Sequence, residues 1–237
     1  MRIKFNAFES KYLGIKSGKV FYSSLDLSSF KMETINNLSE EARKKKYQLI
    51  SIRMPAPRDE VANAFENAGF RCVEEMLTFS KCISNFAKGS NSVRRASLAD
   101  LGPISEIAES SFIFDRFHSD PLIDNHKANE LKKAWSRNCL THRADSVFVF
   151  HDNKIGGFLA CLKIKKSVVI DLIAVLNEKR GCGVARELIF ASEAYYQSHC
   201  NEYRVSTQST NLPSINLYRS CGFRPVSKQS TFHLVIK

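Results

Sequence analysis

None of the seven cysteines, at positions 72, 82, 139, 161, 182, 200 and 221, forms a CxxC pair, and no Cys/His cluster stands at zinc-ligand spacing. The pattern argues against a structural metal and against a disulfide framework, since an odd cysteine is left over in any pairing. A reducing, cytoplasmic setting suits such a set. Also missing is any uncharged run near the roughly 18 residues of a membrane span. The opening residues, Met1 to Glu9 (MRIKFNAFE), lack the apolar core of a signal peptide. A soluble, unprocessed chain with no membrane partner is expected. Charge of one sign does not collect either. Lys and Arg number 35 against 24 Asp and Glu, a net charge of +11, yet only Arg43-Lys44-Lys45-Lys46 makes a run. That run suits the C-terminal end of a solvated helix, so no nucleic-acid partner is expected. A broadly positive surface still favours polyphosphate ligands. His118, His126 and His142 show neither triad nor metal spacing, and no metal is expected.

What is present is enough apolar residue, 43% of 237, for a packed core. Apolar periodicity predicts strands over residues 19–25, 47–54 and 70–82, with helices from about Ser28 to Lys46 and from Arg58 to Ala68. A polar stretch, Asn85 to Ser92, marks a boundary, giving an N-terminal α/β domain over residues 1–88 and a second domain over 89–237. The second domain is expected to hold a short strand at 92–96, a helix from Ser97 or Asp100 to Phe112, and a helix from Asn125 to Cys139. Strands at 147–152, 155–165 and 168–175 follow, then helix 182–199, strand 202–208, helix 212–221 and strands within 223–236.

The two segments resemble each other. Sliding the first by 153 positions lays Ala68-Gly69-Phe70-Arg71 on Cys221-Gly222-Phe223-Arg224, Val73 on Val226, and Thr78-Phe79 on Thr231-Phe232. A repeated strand, helix, Gly-Phe, strand unit is expected. The copies differ where chemistry could enter: Tyr218 matches Phe65, and Asn211 matches Arg58.

Ile170-Asp171-Leu172-Ile173-Ala174-Val175 forms an apolar strand followed by Arg180-Gly181-Cys182-Gly183-Val184-Ala185 and a helical pattern at Leu188, Ile189 and Ser192. A helix N-terminus leaves backbone N–H groups unpaired at the positive end of its dipole, so a diphosphate is its natural guest. Gly181 and Gly183 let the backbone approach closely, and Arg180 adds a charged fork. The same residues could simply make a tight turn. Further on, Asn211 begins a helix with Pro213 in its first turn, and Tyr218 precedes Gly222-Phe223. Asn211 could be only an N-cap, and Tyr218 only a packing ring.

The two segments together resemble the GNAT superfamily. Its acetyl-CoA signature falls here on Arg180, Gly183 and Ala185, and its second signature on Asn211, Leu217, Tyr218, Gly222 and Phe223, with Ser214 in place of the usual alanine. The resemblance implies an α/β (α+β) fold with a mixed central sheet flanked by helices, here preceded by a smaller domain like a partial copy of itself. It implies that Leu172, Ile173, Ala174 and Val175 hold the pantetheine arm of acetyl-CoA, with a backbone N–H near Ile173 on the thioester oxygen. Residues 180–185 and Asn211 would complete the coenzyme site, and Tyr218 would protonate the departing thiolate.

The whole chain is similar to nucleotide-sugar N-acetyltransferases of the TDP-fucosamine type, through Phe8 to Gly14 (FESKYLG), Gly69-Phe70-Arg71-Cys72-Val73-Glu74 and Phe112 to Phe117 (FIFDRF). That resemblance implies a small-molecule amine acceptor, a nucleotide-linked amino sugar, with Glu74 as base through water. Since neighbours on a strand face opposite sides, one of Glu74 and Glu75 is expected to be plain surface. Arg116 is expected to bind sugar-nucleotide phosphates and Phe117 or Phe114 to stack on a base, or else Arg116 is an ordinary surface arginine. Another amine, a catalytically silent CoA-sensing module, and a homodimer all stay open.

Overall fold

The computed structural model describes residues 1–23, 32–83 and 89–236. Residues 24–25 of the first expected strand, 28–31 of the expected helix and 85–88 of the expected boundary lie outside these. The elements in chain order are β1 (Arg2–Phe5), α1 (Ala7–Leu13), β2 (Ser17–Phe21), α2 (Met32–Lys44), β3 (Leu49–Pro55), α3 (Asp59–Asn67), β4 (Arg71–Cys82), β5 (Val93–Arg95), α4 (Leu101–Ser111), α5 (Asn125–Asn138), β6 (Ser146–Asp152), β7 (Lys154–Ile164), β8 (Ser167–Val175), α6 (Val184–Tyr196), β9 (Glu202–Gln208), α7 (Leu212–Ser220) and β10 (Arg224–Val235). Two of these, β1 and α1, were not expected from the sequence. The helix has only seven residues, held between the Asn6 cap, which accepts from the Glu9 amide, and Gly14 at φ 71°. That is too short for periodicity to register.

The strands form one mixed sheet in the order β1-β2-β3-β10-β4-β9-β8-β7-β6-β5. Helices cover both faces. On one face, Leu188, Ile189 and Tyr196 of α6 and Ile215 and Tyr218 of α7 pack on Leu159, Cys161, Val168 and Ile170. On the other, Ile104, Ile107 and Ala108 of α4, with Trp135 of α5, cover Phe158, Ala160, Leu172 and Ala174. Helix α2 buries Ile35, Leu38 and Ala42, the spacing of one helical face. These join Ile50, Ile52, Phe65, Phe70 and Phe232 in a third core.

The sequence repeat is a structural repeat. Elements β3, α3 and β4 match β9, α7 and β10 with starts offset by 153 residues (49 to 202, 59 to 212, 71 to 224) and identical lengths. Gly69 and Gly222 share a φ of 87°, the left-handed region where a side chain is strained, so each Gly-Phe turn is made the same way.

The last strands of the two halves are exchanged. β10 pairs with β3 and β4, and β4 pairs with β10 and β9. Phe65 of α3 therefore stacks on Phe232 of the second half at 5.0 Å and meets its own Phe70 edge-on at 5.1 Å. In the matching positions, Tyr218 of α7 contacts Phe79 of the first half and its own Phe223, each at 6.0 Å. Each aromatic trio thus needs both halves.

Truncating Phe79 or Phe232 to Ala is expected to cost about 3–5 kcal/mol. Urea unfolding followed by circular dichroism and by the fluorescence of Trp135 should shift as one transition in both variants. A Phe232→Ala protein with one half unfolding alone would contradict the exchanged arrangement.

Candidate active site

Along β8, from Ser167 to Val175, burial alternates between part-buried and buried without interruption, the pattern of a strand with one buried face along its whole length. The faces in fact change partway. Val168 and Ile170 belong to the core under α6, whereas Leu172 and Ala174 belong to the core under α4 and α5. The cause is a bulge: Cys161 pairs with Ile170 and Ala160 with Leu172, which leaves Asp171 as an extra residue on β8. Ile173 and Val175 then turn to the α6 side.

Four donors fix Asp171 in that position. Arg143 donates from Nε and Nη2 at 2.8 and 3.0 Å, Trp135 from Nε1 at 3.0 Å and Cys139 from Sγ at 3.4 Å. Cys139 and Arg143 come from a single π-helical turn, Cys139–Arg143, that follows α5. Burial works to raise the Asp171 pKa, but the Arg143 bonds and charge outweigh it and hold the carboxyl below its ordinary range.

At the same point β8 parts from β9. The two pair in parallel only from Ser167 with Glu202 to Ile170 with Val205, although β8 runs to Val175 and β9 to Gln208. The parting opens into a cavity of about 1320 Å³, lined by Leu172, Ile173, Ala174, Val175, Arg180, Gly181, Gly183, Val184, Ala185, Asn211 and Tyr218. At its mouth Gly181 and Gly183 adopt φ of 78° and 83°, and a Cβ built on either meets no atom within 4 Å. Gly183 is the N-cap of α6 and offers no side-chain cap, so the first-turn amides stand open toward a diphosphate-sized anion. Arg180 donates from Nε to the Val175 carbonyl at 3.2 Å, tying the loop to the strand end. Cys182 is exposed, and its thiol turns back on the Arg180 carbonyl at 3.7 Å. It stands outside the cavity lining.

Tyr218 is 2% exposed, and burial lifts its phenol well above the ordinary value, opposed by a Ser214 hydrogen bond. It is therefore a neutral O–H donor at any working pH. Asn211 caps α7 by accepting from the Ser214 amide at 3.3 Å, and it also lines the cavity.

The cavity continues past Gln208 to Glu9, Lys19, Ser51, Arg53 and Glu74 of the first half and to Phe114, Arg116 and Phe117 of the segment between α4 and α5. Glu74 is buried and Glu75 is the surface member of the pair, bridged to Lys228 at 2.6 Å. The Glu74 carboxylate takes a close bond from Arg53, one from Thr231 at 3.0 Å and one from Gln208 at 3.0 Å. Burial pushes its pKa up, but the Arg53 charge and the Gln208, Arg116 and Thr231 interactions prevail, so the net shift is downward. Arg116 is no free surface arginine. It pairs closely with Glu9, donates to Ser51 at 3.2 Å and lies over the Phe117 ring at 4.5 Å. That ring is 1% exposed and sits in a core with Leu13 and Leu49, whereas Phe114 is 36% exposed.

The sequence motifs gave no site role to Lys19, Arg53, Gln208, Thr231, Trp135, Arg143 or Asp171. Each reaches the site through sheet register or helix placement. Among the described residues no group of three His, Cys, Asp or Glu is arranged to hold a metal, and no helix is long and apolar enough to cross a membrane.

Comparison with known proteins is consistent with this geometry. Residues 106–223 match the Acetyltransferase (GNAT) family. The chain is 29% identical over 139 residues to the spore coat polysaccharide biosynthesis protein SpsD of Bacillus subtilis, a match over 57% of this chain and 47% of SpsD. The chain therefore spans about half the length of that relative. Among solved structures it is similar to a functionally unknown conserved protein from Staphylococcus epidermidis, with a TM-score of 0.66, 11% identity and coverage of 99% and 92% of the two chains. It is also similar to a GCN5-related N-acetyltransferase from Sphaerobacter thermophilus, with a TM-score of 0.63, 14% identity and coverage of 98% and 75%. These two likenesses bear on the fold, which nearly the whole chain shares.

Replacing Asp171 with Ala removes the anchor of the bulge and leaves Arg143 unpaired. The expected loss is about 2 kcal/mol, seen as a fall of roughly 4–8 °C in the thermal midpoint. Amide hydrogen exchange should quicken over residues 171–175 more than over 167–170. Uniform exchange along β8 would remove the proposed anchor.

Proposed function

Because residues 106–223 belong to the GNAT acetyltransferase family, we propose that this chain transfers the acetyl group of acetyl-CoA to the amine of a nucleotide-linked amino sugar. The observation that carries the proposal is the parting of β8 from β9 into one cavity that holds both Tyr218 and Glu74. Ligand pockets are commonly about 300–1,000 Å³, so a cavity of about 1320 Å³ has room for two substrates at once. Direct attack within a ternary complex needs that room. The relative SpsD, a polysaccharide biosynthesis protein, favours a sugar acceptor, and the cationic lining at Arg53 and Arg116 suits its phosphates.

In this reading the open amides of residues 181–185 and the Arg180 guanidinium grip the diphosphate of acetyl-CoA, and Asn211 borders the same ligand. Backbone groups of Leu172, Ile173, Ala174 and Val175 pair with the pantetheine arm, and the Ile173 N–H meets the thioester oxygen. A donor so placed is worth roughly 10²- to 10³-fold in rate. The amine nitrogen forms a bond to the carbonyl carbon, the carbon–sulfur bond breaks, and Tyr218 gives its proton to the departing thiolate. The proton lost by the amine passes through water toward Glu74. Gln208 is the one hydrogen-bond partner of the Glu74 Oε2 atom among the described residues, so that atom keeps a lone pair for the water. Held low by Arg53, Glu74 draws the ammonium in by charge and hands the proton on to solvent rather than keeping it. Arg116 binds acceptor phosphate, and the exposed face of Phe114, carried on the same segment as the buried Phe117, meets the base.

Tyr218→Phe is expected to bind acetyl-CoA with unchanged affinity by calorimetry while CoA release slows roughly 10²-fold or more. Full turnover in that variant would exclude the acid role, and no heat of binding from folded wild-type protein would sink the proposal itself.

Glu74 gives the second test, a pH dependence of stability. Because its folded pKa lies below its ordinary value, it stabilises the protein above the ordinary carboxylate range, and that contribution disappears as pH falls through the lowered value. Glu74→Gln should therefore flatten the acid side of a denaturation curve and leave the stability of the two proteins converging at low pH. Parallel curves over pH 2–7 would show that the carboxylate is not held as described.

A further inference from the structure

The two halves of the chain part their sheets in the same way but line the opening differently. In the second half β8 leaves β9 after Ile170 and Val205, and apolar Leu172 and Ile173 border the cavity. In the first half β2 pairs in parallel with β3 only from Ser17 with Leu49 to Lys19 with Ser51. The residues facing the cavity there are Lys19, Ser51 and Arg53. What is an apolar slot in one copy is a cationic end in the other, and both open into one cavity.

The charges at that end do not balance. Arg53 is bonded to Glu74 and Arg116 to Glu9. Lys19 lines the same end and feels the charges of both arginines and of Glu9, with no carboxylate at ion-pair distance among the described residues. Its ammonium lies over the Phe21 ring, 5.6 Å from the centroid. Burial, then the charges of Arg116 and Arg53, lower its pKa against the pull of Glu9. Lys19 is exposed and lines the cavity edge, so three cations against two carboxylates leave one positive charge unmatched at the border of a ligand-sized cavity.

We infer that Lys19, flanked by Arg53 and Arg116, binds an oxyanion carried by the acceptor, a phosphate or a carboxylate, and so selects amines that bear one. The inference rests on the acetyl-transfer reading for the identity of the acceptor, whereas the anion subsite itself rests on the charge arrangement. Its consequence is a division of labour between the copies. The second half holds the acyl donor, and the first half's parting has become the recognition end for the acceptor.

The test uses full-length protein saturated with CoA, so that the phosphate loop is already filled. Inorganic pyrophosphate and succinate are titrated calorimetrically into wild type, Lys19→Ala and Lys19→Arg. At least one anion should bind the wild type, bind Lys19→Ala roughly 10- to 100-fold more weakly, and recover in Lys19→Arg. Pyrophosphate binding without succinate binding identifies a phosphate as the recognised group, and the reverse identifies a carboxylate. In kinetics, Lys19→Ala should raise KM for a nucleotide-diphosphate amino sugar by the same factor relative to the free amino sugar. Absence of binding by either anion, or equal binding to wild type and Lys19→Ala, would overturn the inference. Failure of the acetyl-transfer reading looks different. No amine would release CoA from acetyl-CoA, yet pyrophosphate or succinate would still bind in a Lys19-dependent way. Should CoA itself not bind, the same titrations without CoA still report whether binding depends on Lys19.

Discussion

The site is organised by one buried carboxylate on one bulged strand. Asp171 is the one residue of β8 that the register with β7 leaves without an opposite number, and Arg143, Trp135 and Cys139 hold it there. The bulge reverses the faces of the strand, so that Ile173 and Val175 turn toward α6 while Leu172 and Ala174 seal the opposite core. Parallel pairing with β9 ends at the residue just before it. A strand that kept its register would continue the ladder and close the slot. Bulges raise local twist and interrupt pairing, and this one converts an ordinary sheet position into a mouth beside the open amides of α6.

The repeat supplies the second constraint. Exchange of β4 and β10 places each aromatic trio across the seam between halves and puts Glu74, a residue of the first half, against Gln208 and Thr231 of the second. An acid from one copy and a phenol from the other therefore line one cavity. The copies share their packing plan and differ where chemistry enters. Phe65 fills its core with no polar tip, and the matching Tyr218 fills the same position while presenting a hydroxyl.

Electrostatically the cavity runs from open backbone amides at one end, through an apolar middle, to a cluster of guanidinium, ammonium and carboxylate groups at the other. Buried charges are costly unless paired, and Glu74 with Arg53 and Glu9 with Arg116 are paired closely. That pairing holds the side chains in fixed positions before any ligand arrives, which is what positioning a charged acceptor requires.

The repeat was legible in the sequence because its signals are local. Gly-Phe after an apolar helix fixes a left-handed turn and a buried ring wherever it occurs, and the offset of 153 followed from those residues alone. The glycine turn before α6 and the Asn211-capped helix that carries Tyr218 were legible for the same reason, since glycine placement and capping act within a few residues. Helix α1 escaped because seven residues carry too little period. The strand exchange, the face reversal at Asp171 and the cluster of Lys19, Arg53, Glu74 and Arg116 were decided only by the tertiary structure. The apolar run of residues 167–175 reads identically with or without a bulge, because hydrophobicity reports burial and not which core does the burying. Bonds such as Arg53 to Glu74, or Gln208 to Glu74, depend on sheet register between strands far apart in the chain. Sequence determined which local units form, and long-range hydrogen bonding and packing decided how two of them share one cavity.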